Sequence, residues 1–260
     1  MAIKTRGSRQ QNLIKTLFVR SLWNTVHNVY ITEINSLQIA VFGHSIYMLK
    51  LFAFATPNNL KPVLLLEELG LTYEIHPVNI RQGEQKAPAF QAINPNAKVP
   101  VLVDVLDNGQ EFVLTESAAI LVYLAEKHQQ FIPTALHERT KVFEQLFFHA
   151  SGVSPAFGNA GFFQKLASEK VPMAIDRFLT EAKRLTGLLD ARLQNQAYVT
   201  GQDYTIADMA HFGWLWRAAF VGIELTDYPH VKRWFDHIAS RPATKSAIAK
   251  IEALVPPAAS

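Results

Sequence analysis

The spacing of apolar residues changes character part-way along this chain, and that change restricts the folds open to it. From Met48 onward, short apolar runs of strand length alternate with turn residues: Leu49 to Ala55, Tyr73 to Asn79, Val99 to Val105 and Phe112 to Leu114. Between the first two runs, Lys61 to Leu69 is rich in Leu and Glu and is closed by Gly70, which suits a helix with a glycine C-cap. Pro62 disfavours helix at the residue before it and so predicts a helix start near Asn59 to Lys61. Pro88 to Ile93 and Thr115 to His128 read as two further helices, giving the order β-α-β-α-β-β-α.

After Gln129 to Thr134 strand signals vanish and a 3.6-residue period takes over. Phe143, Leu146, Phe147 and Ala150 fall at i, i+3, i+4 and i+7, as do Ile175, Phe178, Leu179 and Ala182, and Val231, Trp234, Phe235 and Ile238. All three stripes are expected to be buried. Gly152 to Gly161, with its Ser, Pro, Gly and Asn, interrupts the pattern as a loop or bent helix that could face a cleft. The expected architecture is therefore a thioredoxin-like α/β domain over residues 48–130, an all-α domain over 136–252 and a short tail at 253–260. A chain of 260 residues accommodates two such domains.

Charge separates the first 47 residues from the rest. They hold Lys4, Arg6, Arg9, Lys15 and Arg20 against Glu33 alone, whereas the remainder has 20 basic and 21 acidic groups. The formal charge of +3 is thus a local surplus, and the body lacks the clustered Lys and Arg of a nucleic-acid reader. An acid-poor, Arg- and Ser-containing start also fits a targeting peptide. The favoured reading is a disordered or non-native extension, 1–47, ahead of a functional chain that begins at Met48. Leu37 to Ala55 is interrupted by Gln38, His44 and Lys50, so no membrane span is expected.

The chain contains no cysteine, which removes disulfide frameworks, thiolate metal sites and cysteine nucleophiles together. Its nine histidines show no paired metal-ligand spacing beside carboxylates, and no metal is expected. Thr56-Pro57-Asn58-Asn59 lies between the first strand and the first helix. It reads either as a turn with an N-cap or as an anion site, where the helix N-terminus and the donors of Thr56 and Asn58 would stabilise a thiolate. Asn94-Pro95-Asn96-Ala97-Lys98-Val99-Pro100 is a turn entering a strand. Pro100 belongs at a strand start or edge, either as an ordinary trans proline or as a cis proline that leaves the Val99 backbone free for a peptide-like ligand. Thr115-Glu116-Ser117 is either helix capping or a cradle for the carboxylate and ammonium of an amino-acid-like ligand. Thr205-Ile206-Ala207-Asp208 has capping-box spacing and is expected to be structural.

Taken together and in order, Thr56-Pro57-Asn58, Asn94 to Pro100, Glu116-Ser117 leading into Ala119-Ile120-Leu121, Thr205 to Asp208 and Arg241-Pro242-Ala243 resemble the cytosolic glutathione transferases. The resemblance covers Met48 to about Ile251. Thr-Pro-Asn, the Asn94 to Pro100 segment and Pro172 to Arg177 are most similar to the bacterial nu-class proteins and the nitrogen-regulating, prion-forming yeast homologues. The family implies glutathione as cosubstrate, with Thr56 and Asn58 facing its sulfur, Val99 before a cis Pro100 pairing with its cysteinyl backbone, and Glu116 and Ser117 holding its γ-glutamyl end. Gln85 and Lys98 match further glutathione contacts. Arg177 matches an arginine that reaches glutathione on the neighbouring subunit, which implies a homodimer. Asn59 and Ala118 stand where relatives usually carry glycine.

The first-loop tyrosine, serine or cysteine of other transferases is missing. The resemblance therefore implies a cytoplasmic glutathione-dependent disulfide-bond reductase that borrows both thiols from glutathione. Conjugation of glutathione to small electrophiles and a non-catalytic regulatory role are the alternatives it leaves open.

Overall fold

The computed structural model describes residues 49–256; the expectations for residues 1–47 and for the end of the tail lie outside them. Four strands, β1 (Leu49–Ala53), β2 (Tyr73–Pro77), β3 (Val101–Val105) and β4 (Glu111–Thr115), form one sheet in the order β2-β1-β3-β4. β1 runs parallel to β2 and antiparallel to β3, which is antiparallel to β4. A parallel pair needs a crossover, and α1 (Pro57–Glu68) supplies it. α2 (Pro88–Ile93) precedes β3, and α3 (Ser117–His128) follows β4. The expected β-α-β-α-β-β-α order is thus the observed one.

The start of α1 differs from the expectation. Thr56 is its extended N-cap residue and Pro57 opens its first turn, so that Pro62 lies inside the helix. Pro57 carries the fixed φ that suits a first turn. Pro62 removes the N–H that would bond the Asn58 carbonyl. Burial outweighs that loss, because every residue from Asn59 to Leu66 is buried. Over this stretch α1 is enclosed on every side, and the polar Asn59 and Lys61 are buried with its apolar residues.

The second half is helical: α4 (Leu136–Phe148), a π-helical turn at His149–Val153, α5 (Ser154–Gly161), a second π turn at Phe162–Leu166, α6 (Pro172–Leu193), α7 (Ile206–Leu215), α8 (Ala218–Val221), α9 (Pro229–Ser240) and α10 (Pro242–Glu252). The Gly152 to Gly161 segment is therefore the bent helix and not the loop, its irregularity absorbed by π turns. The α9 stripe packs as expected, with Val231, Trp234 and Ile238 buried. On α6 only Ala182 of the expected four is fully buried. The α4 stripe is displaced by one residue: Val142, Gln145, Leu146 and His149 face inward while Phe147 is 68% exposed. Two of the four inward positions are polar, so apolar spacing alone pointed to the adjacent face.

The main core cluster of buried apolar residues extends from β1 through α1 and α3 to α10, and a small second cluster joins Val78, Phe90 and Val101. The expected cap at α7 is present and larger than a capping box. Thr205 N–H donates to Asp208 Oδ2 at 3.0 Å, while Val199 N–H and Trp234 Nε1–H both donate to Asp208 Oδ1 at 2.9 Å. One buried carboxylate thereby ties the loop before α7 to α9. At the far end of α1, Arg241 forks onto Glu68, with Nε to Oε1 at 2.5 Å and an Nη to Oε2 at 2.8 Å, securing α10 to the sheet layer.

Candidate functional site

Three sequence-distant segments converge where β1 ends. The β1–α1 junction brings Thr56 and Asn58, the segment before β3 brings Lys98, Val99 and Pro100, and the β4–α3 bend brings Glu116 and Ser117. Each is shaped locally. Asn94 is buried, its side chain donating to Lys98 O at 2.7 Å and accepting from Asn96 N–H at 3.1 Å, which fixes the approach to Val99. The Val99–Pro100 peptide bond is cis. β3 begins at Val101, so Pro100 stands just before a central strand and the Val99 backbone lies outside the sheet ladder. Glu116 adopts φ 68°, a region that side-chain-bearing residues rarely occupy, at the sharp bend that opens α3. It makes no side-chain cap hydrogen bond, so the capping reading of Thr115-Glu116-Ser117 is not what the geometry displays.

A cavity of about 360 Å³ is lined by Asn58, Val99, Pro100, Glu116 and Ser117 on one side and by Ala150, Ser154, Pro155, Gly158 and Asn159 of the bent helix on the other. A second cavity of about 650 Å³ shares Asn58, Lys98, Val99, Gly158 and Trp214 with the first and adds Thr56, Gln85 and a more apolar wall including Phe54, Phe162 and Phe220. Arg81, Lys98 and Arg217 line this larger space, and none of its lining residues is acidic. Burial, reinforced by nearby Arg81, lowers the Arg217 pKa, while Glu252 opposes the shift. Eight of the nine expected site residues therefore meet around adjoining cavities. Arg177 does not: it is exposed on the first turns of α6 and lines neither.

Polar groups in these walls carry unused capacity. The Gln85 side-chain oxygen is buried and unpartnered. Thr56 Oγ1 accepts from the Asn59 amide, leaving its own hydroxyl hydrogen for another acceptor. Trp214 Nε1–H donates to Ser154 Oγ at 2.8 Å, and Ser154 Oγ lies 3.5 Å from Asn58 Oδ1. Behind the wall sits Lys61, 2% exposed, whose Nζ donates to Asn58 Oδ1 at 2.8 Å and to Ser117 Oγ at 3.4 Å. Burial lowers the Lys61 pKa to about 7, with Glu116 drawing it back up. Sequence reasoning assigned no role to Lys61, Ser154, Trp214, Arg81 or Arg217. The signals on offer were the i, i+3 spacing of Asn58 and Lys61 on one helix face and, for Ser154, its place in the Gly152 to Gly161 segment expected to face a cleft. Among the described residues no group of three or more His, Asp or Glu could hold a metal ion.

Two family models match this chain: the glutathione S-transferase N-terminal domain over residues 48–126 and the C-terminal domain over residues 120–242. The chain belongs to the glutathione S-transferase family. Curated relatives named as glutathione S-transferases and disulfide-bond oxidoreductases make this chain an enzyme of that family, and its sheet-plus-bundle fold is the one described above. Among curated relatives, the disulfide-bond oxidoreductase YfcG of Escherichia coli is 39% identical over 207 residues, covering 79% of this chain and 96% of that protein. A Burkholderia graminis glutathione transferase solved with two glutathione molecules per subunit is 34% identical, with a TM-score of 0.73 over 81% of this chain and 91% of that one. A Pseudomonas putida glutathione transferase solved with one glutathione disulfide per subunit is 32% identical, with a TM-score of 0.72 over 81% of this chain and 95% of that one. Among the described residues of this transferase no helix is long and apolar enough to cross a membrane.

Proposed function

We propose that this transferase is a glutathione-dependent disulfide-bond reductase that supplies no thiol of its own. The observation that carries the reading is a pair of adjoining cavities lined by Thr56, Asn58, Val99, Glu116 and Ser117 in a chain without cysteine. The first glutathione lies along the smaller cavity and reaches into the larger one at Thr56 and Gln85. Val99 pairs with its cysteinyl backbone, Ser117 and the N–H groups opening α3 bind its γ-glutamyl carboxylate, and Glu116 binds the ammonium. Its sulfur faces Thr56 and Asn58, whose donors stabilise the thiolate at the N-terminus of α1. Gln85 and Lys98 contact the remainder of the tripeptide.

The larger cavity receives the second glutathione or the substrate disulfide, and its Arg81, Lys98 and Arg217 favour carboxylate-bearing occupants. The first thiolate attacks a sulfur of the substrate disulfide, forming a mixed disulfide and releasing one substrate thiolate. The second glutathione thiolate then attacks the glutathione sulfur of that mixed disulfide, releasing the other substrate thiol. Two glutathione thiols are oxidised to one disulfide as one substrate disulfide is reduced. The protein contributes alignment of the sulfurs and a lowered thiol pKa. The relatives solved with two glutathione molecules or with glutathione disulfide support this stoichiometry.

The working state is a homodimer in which Arg177 crosses to the partner's glutathione, and the compartment is the cytoplasm, where glutathione is kept reduced. A coupled assay with glutathione, hydroxyethyl disulfide, glutathione reductase and NADPH tests the activity, with chlorodinitrobenzene as the competing substrate. Turnover of the disulfide in preference to the electrophile is expected. The reverse preference means a conjugating enzyme, and binding of glutathione with neither turnover means a regulatory protein.

A further inference from the structure

Lys61 is unusual in its setting. It lies on a helix whose neighbours from Asn59 to Leu66 are all buried, it lines neither cavity, and its side chain is 2% exposed. Room for it comes from Gly213 on α7: a Cβ built there would lie 2.7 Å from Lys61 Cγ. A long cationic side chain held in a space that narrow is costly to bury and needs compensation. The compensation on hand is two polar contacts, Asn58 Oδ1 at 2.8 Å and Ser117 Oγ at 3.4 Å. Both atoms belong to side chains that line the smaller cavity.

An ammonium group donates and cannot accept. The carboxamide of Asn58 has an acceptor end and a donor end; Lys61 donates to the acceptor end, with Ser154 Oγ 3.5 Å from the same oxygen, which leaves the NH₂ as the end available to a ligand. A serine hydroxyl can present either its lone pairs or its hydrogen. With Lys61 donating to Ser117 Oγ, the hydroxyl hydrogen is left for an acceptor elsewhere. Two groups that are ambivalent in isolation become donors toward the same space.

We infer that Lys61 is a positioning residue for the thiol chemistry, a buried cation that commits Asn58 and Ser117 to donate toward the thiolate and carboxylate of bound glutathione. The inference rests on the reading of these cavities as a glutathione site and deepens it. His149 and His211, buried from the π turn and from α7, are driven toward the neutral form first by burial and then by the Lys61 ammonium. Glu116, before α3, is the carboxylate that favours the charged lysine. Lys250 on α10 and Arg241 just before it pair with Glu67 and Glu68 at the opposite end of α1. Because burial brings Lys61 to about 7, its protonation is responsive near neutral pH, and an anionic ligand should hold the proton on.

The test compares wild-type protein with Lys61→Met, an unbranched substitution of similar length that removes donor and charge. Folding is checked by near-ultraviolet circular dichroism, and the pKa of bound glutathione is read from thiolate absorbance. The expected result is a thiolate pKa higher by about one pH unit or more and kcat lower by about tenfold or more. A folded Lys61→Met protein with unchanged thiolate pKa and kcat overturns the inference.

Should that variant fail to fold, wild-type protein labelled with ¹³Cε-lysine is titrated by NMR with and without glutathione. The Lys61 midpoint should rise on binding by about one pH unit and rise less with S-methylglutathione, which has no thiolate. A midpoint unmoved by glutathione that calorimetry shows to be bound overturns the inference alone. Absence of glutathione binding to the wild-type protein overturns the functional reading and this inference with it.

Discussion

Replacing Gly213 with alanine should drive α1 and α7 apart. The new Cβ would lie 2.7 Å from Lys61 Cγ and 2.8 Å from the Pro57 carbonyl oxygen. The side-chain contact alone could relax by a rotamer change, but the carbonyl is backbone and can move only with the first turn of α1. Overpacking of this kind costs about 1–3 kcal/mol. Alanine also gains about 1 kcal/mol over glycine in helix propensity, which partly hides the clash. Gly187 on α6 supplies the control, since a Cβ there meets nothing within 4 Å.

Gly187→Ala should therefore show the propensity gain without a clash, raising Tm by up to about 4 °C, at roughly 2–4 °C per kcal/mol for a folded unit of this size. Gly213→Ala should lie below Gly187→Ala by about 2–12 °C in thermal denaturation followed by circular dichroism. Adding Lys61→Ala should recover only part of the difference, because the Pro57 contact remains. Equal Tm values for the two glycine variants would refute the claim that the α1–α7 approach depends on a missing Cβ.

Asp208→Ala strands the buried donors of Val199, Thr205 and Trp234. It should cost about 3–5 kcal/mol in urea denaturation while leaving the activity per folded molecule intact. Asn58→Ala and Thr56→Ala should lower kcat by about tenfold or more and affect glutathione affinity much less, since donors to sulfur matter most as the thiolate reacts. Equal losses in both would mean the loop only binds. Glu116→Ala should weaken glutathione by calorimetry, and unchanged affinity would remove the γ-glutamyl assignment. Arg177→Ala should weaken glutathione by about tenfold or more. Mixing its subunits with Glu116→Ala subunits should restore one intact site per heterodimer; no recovery after confirmed subunit exchange contradicts action across the interface.

The strands and the two later helices of the sheet layer were legible because turn residues punctuate them and their apolar runs are short. The expected Pro88 to Ile93 helix coincides with α2, and Thr115 to His128 overlaps α3 but for its first two residues. The start of α1 was not, since local proline chemistry argued for a later start and the burial that overrides it is a property of the packed fold. On α4 the inward face carries Gln145 and His149, so the apolar pattern favoured its neighbour. The meeting of Thr56, Val99 and Ser117 was foreseeable from ordered motifs, whereas periodicity alone would have left each as a cap or turn. Lys61 could not be found the same way. A lysine in a leucine-rich helix reads as a solvated charge until Gly213 and the enclosing helices are in place.

A crystal structure of the protein grown with glutathione tests the central claim most directly. The cysteinyl backbone should lie against Val99, the γ-glutamyl carboxylate should accept from Ser117, and the sulfur should sit within hydrogen-bonding distance of the Thr56 hydroxyl or the Asn58 NH₂. A second glutathione should occupy the larger cavity with its sulfur facing the first. Glutathione bound outside these cavities, or with its sulfur turned away from Thr56 and Asn58, would contradict the account.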